Sequence, residues 1–242
     1  MPSRVPGRNA VTPQRRGRYP GFDVLDSVEA WDDITAGVVL GRLAPPGDLA
    51  FFTPGEAAIA APLLDLLLAQ DTDPRVPVLA LIDARLAAGE TDGWHYDDMP
   101  EDAPAWRKTL QLLNDEAAQR FRGGGGFARL RSDEQATLIQ HVQDLASQDR
   151  PWHDLPGAHV WSLWTRYACT AFYSHPWAWN EIGFPGPAYP RGYVNAGVDS
   201  REHWEVADQG TEDSNVDPVP FADLVERARR EHERTLRRQQ SP

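Results

Sequence analysis

The sequence predicts an all-α fold, an irregular helical bundle with a long Pro-, Gly- and aromatic-rich irregular segment and extended termini. Three observations point there. Apolar residues recur at helical spacing in five successive stretches, helix start signals precede several of them, and no pair of period-two runs suggests paired strands. At 242 residues the chain can bury one full core. Its 41% hydrophobic and 25% charged content is that of a soluble globular protein. The longest apolar run, 57–69, is interrupted by Pro62 and Asp65. It falls short of the roughly 20 residues that a membrane span needs, so no span is expected.

The elements follow in order. The folded region begins near Val24. Thr53 can cap a helix with Pro54 at its first position and Glu56 completing a capping box, and Ile59, Leu63, Leu66 and Leu67 then share a face to about Ala69. Asp73-Pro74 reads as the start of a second helix carrying Val78, Leu79, Ile82 and Leu86, which closes at Gly89. A third begins near Ala103-Pro104, carries Trp106, Leu110, Leu113 and Ala117, and stops at the Gly123–Gly126 run. Ser132 with Gln135 suggests another capping box ahead of Leu138, Ile139, Val142 and Leu145. Gly157 to Ser174 reads as a fifth helix, striped by Val160, Trp164, Ala168 and Ala171, and residues 221–238 as a last, strongly charged one.

Charge is uneven. The net charge is −12, yet residues 1–22 hold five arginines and no acid, and 227–238 hold six arginines against Glu231 and Glu233. An acidic body with two basic tails argues against nucleic acid as the main partner, because duplex binding needs a basic face on the folded part. Arg15-Arg16 looks like a twin-arginine signal, but the residues after it are not the apolar stretch such a signal requires. The expectation is a cytoplasmic protein, with a periplasmic or membrane-associated complex as the alternative. The single cysteine, Cys169, cannot form an internal disulfide and is expected to be a small buried hydrophobe.

Self-sufficient chemistry is hard to find. His153 and His159 are not at a metal-ligand spacing, HExxH is absent, and the carboxylates beside His232 sit in an arginine-rich stretch. The glycine run lacks the Lys-Ser/Thr of a phosphate loop. No G-x-S-x-G is present, and no G-x-G-x-x-G follows a strand. The cluster His95–Asp102, one histidine with four acids, leaves room for a metal-assisted or acid/base hydrolase, although it lacks the calcium-loop pattern. A third reading is a regulatory module whose basic tails dock an acidic partner.

The densest signal is FYSHPWAWNEIGFPGPAYPRGY, Phe172 to Tyr193. It holds seven aromatics, four prolines and three glycines, so no regular element can run through all of it. Proline-set backbone bearing aromatics loses little entropy on docking, and Trp and Tyr are common interface anchors. Together with the 52–71 helix, the aromatic helix leading into His-Pro and Gly-x-Pro-Gly-Pro resembles the gluconate 2-dehydrogenase subunit 3 family over about 51–193.

The resemblance implies a small, cofactor-free accessory subunit that binds, stabilises and sometimes escorts a larger one. That partner would be a flavin-dependent glucose-methanol-choline oxidoreductase carrying FAD and oxidising sugars, with a cytochrome c or other acceptor taking the electrons. It carries over no catalytic, cofactor-binding or metal residues. The partner-contact candidates are His175, Pro176, Trp177, Trp179, Gly183, Phe184, Pro185, Gly186, Pro187, Tyr189 and Tyr193. Composition, pattern and resemblance together suggest a disordered basic arm (1–22), a helical subunit-3-like domain (23–198), an acidic loop (199–218) and a charged C-terminal helix (219–242).

Overall fold

The computed structural model describes residues 10–14, 19, 22–121, 125–193, 202 and 204–206. The described residues are mostly helical, as expected. After a 3-10 turn at Val24–Ala30 come α1 (Asp33–Gly41), α2 (Pro54–Leu67), α3 (Val78–Ala87), α4 (Asp102–Arg120), α5 (Ser132–Ser147), α6 (Gly157–Tyr173) and α7 (Pro176–Ile182). A second 3-10 turn spans Phe127–Arg129, and two-residue strands β1 (Pro151–Trp152) and β2 (Leu155–Pro156) pair antiparallel between α5 and α6. The expected helix over 221–238 and nearly all of the 199–218 loop lie outside the described residues.

The start of α2 is built as its sequence dictates. The Glu56 carboxylate accepts the Thr53 backbone N–H at 2.8 Å, and the Thr53 hydroxyl accepts the Glu56 N–H at 3.3 Å. The chain before it is anchored by one buried side chain of α3. The Asp83 carboxylate accepts the backbone N–H groups of Ala50, Phe51 and Phe52 at 2.7, 3.0 and 2.7 Å.

Two start signals are displaced. The second helix begins at Val78 and not at Asp73-Pro74. Gln70 explains the difference: its amide accepts the Val76 N–H at 2.7 Å and donates to the Val76 carbonyl at 3.2 Å, holding 70–76 as a closed loop. At α5 the cap is Arg131, whose N–H donates to Glu134 at 3.0 Å. Gln135 turns away and donates to the Phe127 carbonyl at 2.9 Å.

The main core joins α2 to α6 around Trp106, Trp152, Trp164, Tyr167, Phe127 and Phe172, all fully buried. Edge-to-face contacts link Phe52 to Trp106, Trp106 to Tyr167, and Trp152 to Trp164. Two of the three core indoles find partners, Trp164 donating to the Thr109 hydroxyl at 3.1 Å and Trp152 to Glu116 at 2.7 Å, whereas the buried Trp106 ring nitrogen has none among the described residues. Thus α6, apolar on more than one side, is covered largely by its own chain. Cys169 corrects an expectation. It is exposed, because it lies off the stripe that faces the core, and partial desolvation raises its thiol pKa.

A second, smaller cluster sits apart, formed by Val24, Trp31, Val39 and Trp179 with Phe22, Leu25, Val28 and Ala36 packed against it. It joins the N-terminal elements to α7 and the segment that follows.

Candidate partner-contact segment

The segment begins where α6 ends. His175 takes an extended conformation, as the residue before Pro176 should, and opens α7 by accepting the Trp177 N–H on Nδ1 at 3.2 Å. Its ring is buried and lies edge-on to Trp177 at 4.8 Å. Desolvation lowers its pKa to about 4, against an opposing hydrogen bond with the Arg42 backbone. The histidine is therefore neutral at pH 7 and suited to accept. Arg42 reaches over from the end of α1, donating to the Ser174 carbonyl at 2.8 Å and lying 5.8 Å from the Trp179 ring.

On α7, Trp179, Asn180 and Glu181 are buried. Trp179 donates to the Tyr173 carbonyl at 2.7 Å. Asn180 accepts the Val24 N–H at 2.8 Å and donates to the Val11 carbonyl at 3.1 Å, while Glu181 accepts the Gln14 N–H. Gln14 also donates to the Leu68 carbonyl at 2.8 Å. Part of the arm expected to be disordered is thereby seated on α7; residues 1–9, 15–18, 20 and 21 lie outside the described residues.

Beyond α7 the chain turns at Gly183, which is left-handed at φ 68°, and the Phe184 N–H closes the turn on the Trp179 carbonyl at 3.0 Å. A Cβ at 183 would lie 2.7 Å from the Tyr19 ring. At Gly186 the left-handed backbone coincides with a closer approach, since a Cβ there would lie 2.5 Å from the Trp31 ring. The Trp31 indole donates to the Pro187 carbonyl at 3.0 Å, and Arg191 donates to the carbonyls of Pro185 and Pro187. Arg191 stacks at 4.0 Å over Trp204, which also meets Tyr193.

The contact candidates thus fall into two sets. His175, Pro176, Trp179, Gly183, Pro185 and Gly186 are buried, and Trp177 and Pro187 are half-buried. Phe184, Tyr189 and Tyr193 face outward, the two tyrosines 65% and 60% exposed. Sequence reasoning passed over the neighbouring α1, where Ile34 and Val38 are exposed. The local signal was present: Asp32 accepts the Thr35 N–H at 2.8 Å as an N-cap, and a nearly all-apolar run follows.

In the His95–Asp102 loop Tyr96, Asp98 and Asp102 make internal contacts, while His95, Asp97 and Glu101 are exposed. Tyr96 stacks on His159 at 3.6 Å, Asp98 meets His159 at 2.7 Å, and Asp102 accepts the Tyr167 hydroxyl at 2.7 Å with Arg166 at 3.1 Å. Arg166 also pairs with Asp92 and lies under Trp94. Burial and the bond to Asp102 push the Tyr167 pKa upward. Among the described residues, no three His, Cys, Asp or Glu groups converge in a metal-binding arrangement.

The described residues form a helical domain whose proline- and glycine-set strap follows α7 and leaves Phe184, Tyr189 and Tyr193 facing outward. The family model for gluconate 2-dehydrogenase subunit 3 matches residues 54–186, more than half of the chain, and the protein belongs to that family. No curated protein and no solved structure matches it. No helix among the described residues is long and apolar enough to cross a membrane.

Proposed function

We propose that this chain is the non-catalytic small subunit of a flavin-dependent oxidoreductase. It binds and stabilises a glucose-methanol-choline type large subunit that carries the FAD and oxidises a sugar or glycoside, passing electrons to a cytochrome c or another acceptor. The observation that carries the reading is the family match over 54–186, which makes the chain a dehydrogenase subunit. The outward-facing Phe184, Tyr189 and Tyr193, on backbone fixed by Trp31 and Arg191, support a contact role. The assignment of FAD to the partner rests on the subunit-3 resemblance.

Purification of the tagged chain from its native host tests this. A stoichiometric yellow flavoprotein of glucose-methanol-choline type, with sugar-dependent dye reduction, is the expected companion. Recovery of this chain as an isolated monomer overturns the reading. We place the complex in the cytoplasm, which cell fractionation checks.

A further inference from the structure

The helix α1 has a face that nothing described covers. Its nine residues, DITAGVVLG, include only two polar side chains, and a helix apolar nearly all round needs cover on more than one side. Its inner side has cover: Val39 is buried and Ala36 packs on the cluster of Val24, Trp31 and Trp179. On the opposite side Ile34 is 78% and Val38 55% exposed, one turn apart. Gly37 and Gly41 lie between and beside them, and a Cβ on either would meet no atom within 4 Å. The result is a flat apolar strip that a second backbone can approach closely.

Resting on the subunit reading above, we infer that this strip is the face on which the dehydrogenase large subunit docks, through an apolar surface with a basic rim. Charge favours such a partner over a second copy of this chain. Around the strip Asp26, Glu29 and Asp33 are exposed and Asp32 half-buried, and the first cation after Phe22, Arg42, is turned to the Ser174 carbonyl and the Trp179 ring. Pairing two copies about a twofold axis would set acid against acid, whereas a basic rim complements it. Position agrees. The strip precedes the family-matched region, 54–186, whose signature residues His175, Pro176, Pro185 and Gly186 are buried and so unavailable to distinguish one partner from another. Val39 and Trp179 share one cluster, and Phe184 stacks edge-on to Trp179 at 5.3 Å, which links this strip to the outward aromatics of the strap.

The test compares tagged wild type, I34D/V38D and G37L, each purified from the native host. The captured dehydrogenase is identified by its flavin absorbance and peptide masses. Both variants should lose bound flavoprotein about tenfold or more. The isolated I34D/V38D chain should keep its thermal midpoint, both sites being exposed. G37L should keep or raise it, since the space is open and a helical glycine is removed. Retention of flavoprotein by both variants overturns the inference alone. A midpoint that falls together with capture also overturns it, by showing that the chain covers the strip itself. So does a wild-type dimer that the variants dissociate. Wild type that captures no dehydrogenase overturns the subunit reading and this inference with it.

Discussion

The Trp31 indole N–H donates to the Pro187 carbonyl at 3.0 Å, and the same ring occupies the space that a side chain at position 186 would need. One tryptophan from the N-terminal turn thus sets both the path and the composition of the strap. The glycine in Pro-Gly-Pro is a packing requirement as well as a conformational one, since its φ is 80°.

Gly186→Ala should therefore destabilise by about 2–4 kcal/mol, combining left-handed strain with overpacking against Trp31. For a chain of this size that is a fall of roughly 5–15 °C in thermal midpoint, read by scanning calorimetry. Trp31→Ala should relieve the clash, so the double variant should be less destabilised than the sum of the two single ones.

How much of this was legible in the sequence depends on how local the cause was. The α2 cap is local: Thr53 and Glu56 satisfy each other, and the expected box is the observed one. The start at Asp73 failed because Gln70 closes on Val76, and a side-chain-to-backbone bond of that kind leaves no mark in hydrophobic periodicity. Cys169 was misplaced because neighbouring aromatics occupy more than one face of α6, which blurs the boundary of its stripe. In the strap, composition revealed stiffness. Which aromatics are buried is set by Trp31 and Val24, far away in sequence, and by the short α1, whose Asp32 cap and apolar run are local signals that say nothing of its packing against the strap.

Asp83 holds three backbone N–H groups, so its loss should be costly. Asp83→Ala leaves Ala50, Phe51 and Phe52 without acceptors at the entry to α2, and should cost about 3 kcal/mol or more. Asp83→Asn keeps one acceptor oxygen and should cost less. Urea unfolding of the isolated chain separates the two, and hydrogen exchange at 50–52 should rise in both.

His175 predicts an acid sensitivity with a defined window. Its folded pKa, about 4, lies below its ordinary value of 6.5, so the unfolded chain binds the proton more tightly. Stability from this group is full above pH 6.5, falls as pH drops from 6.5 to 4, and is flat below that. At roughly 1.4 kcal/mol per pKa unit the loss approaches about 3 kcal/mol. His175→Asn keeps a capping acceptor without a titrating ring. Midpoints measured between pH 7 and pH 4 should show the histidine-dependent part of the slope vanish in the variant.

Tyr189 and Trp179 separate contact from packing. Tyr189 is 65% exposed on a strap fixed by Trp31 and Arg191, so Tyr189→Ala should leave the isolated chain within about 0.5 kcal/mol of wild type. As an interface anchor its removal should still weaken capture of the flavoprotein by about tenfold. Trp179 is buried among Val24, Trp31 and Val39 and donates to the Tyr173 carbonyl. Trp179→Ala should lower stability by about 3–5 kcal/mol and should weaken capture through loss of fold. Trp177 lies between these cases: it is half-buried, packs against the main core, and meets the His175 ring edge-on at 4.8 Å. Trp177→Ala should lower both midpoint and capture. Equal loss of midpoint and capture in Tyr189→Ala would instead make that tyrosine part of the fold, and would move the contact surface away from the strap.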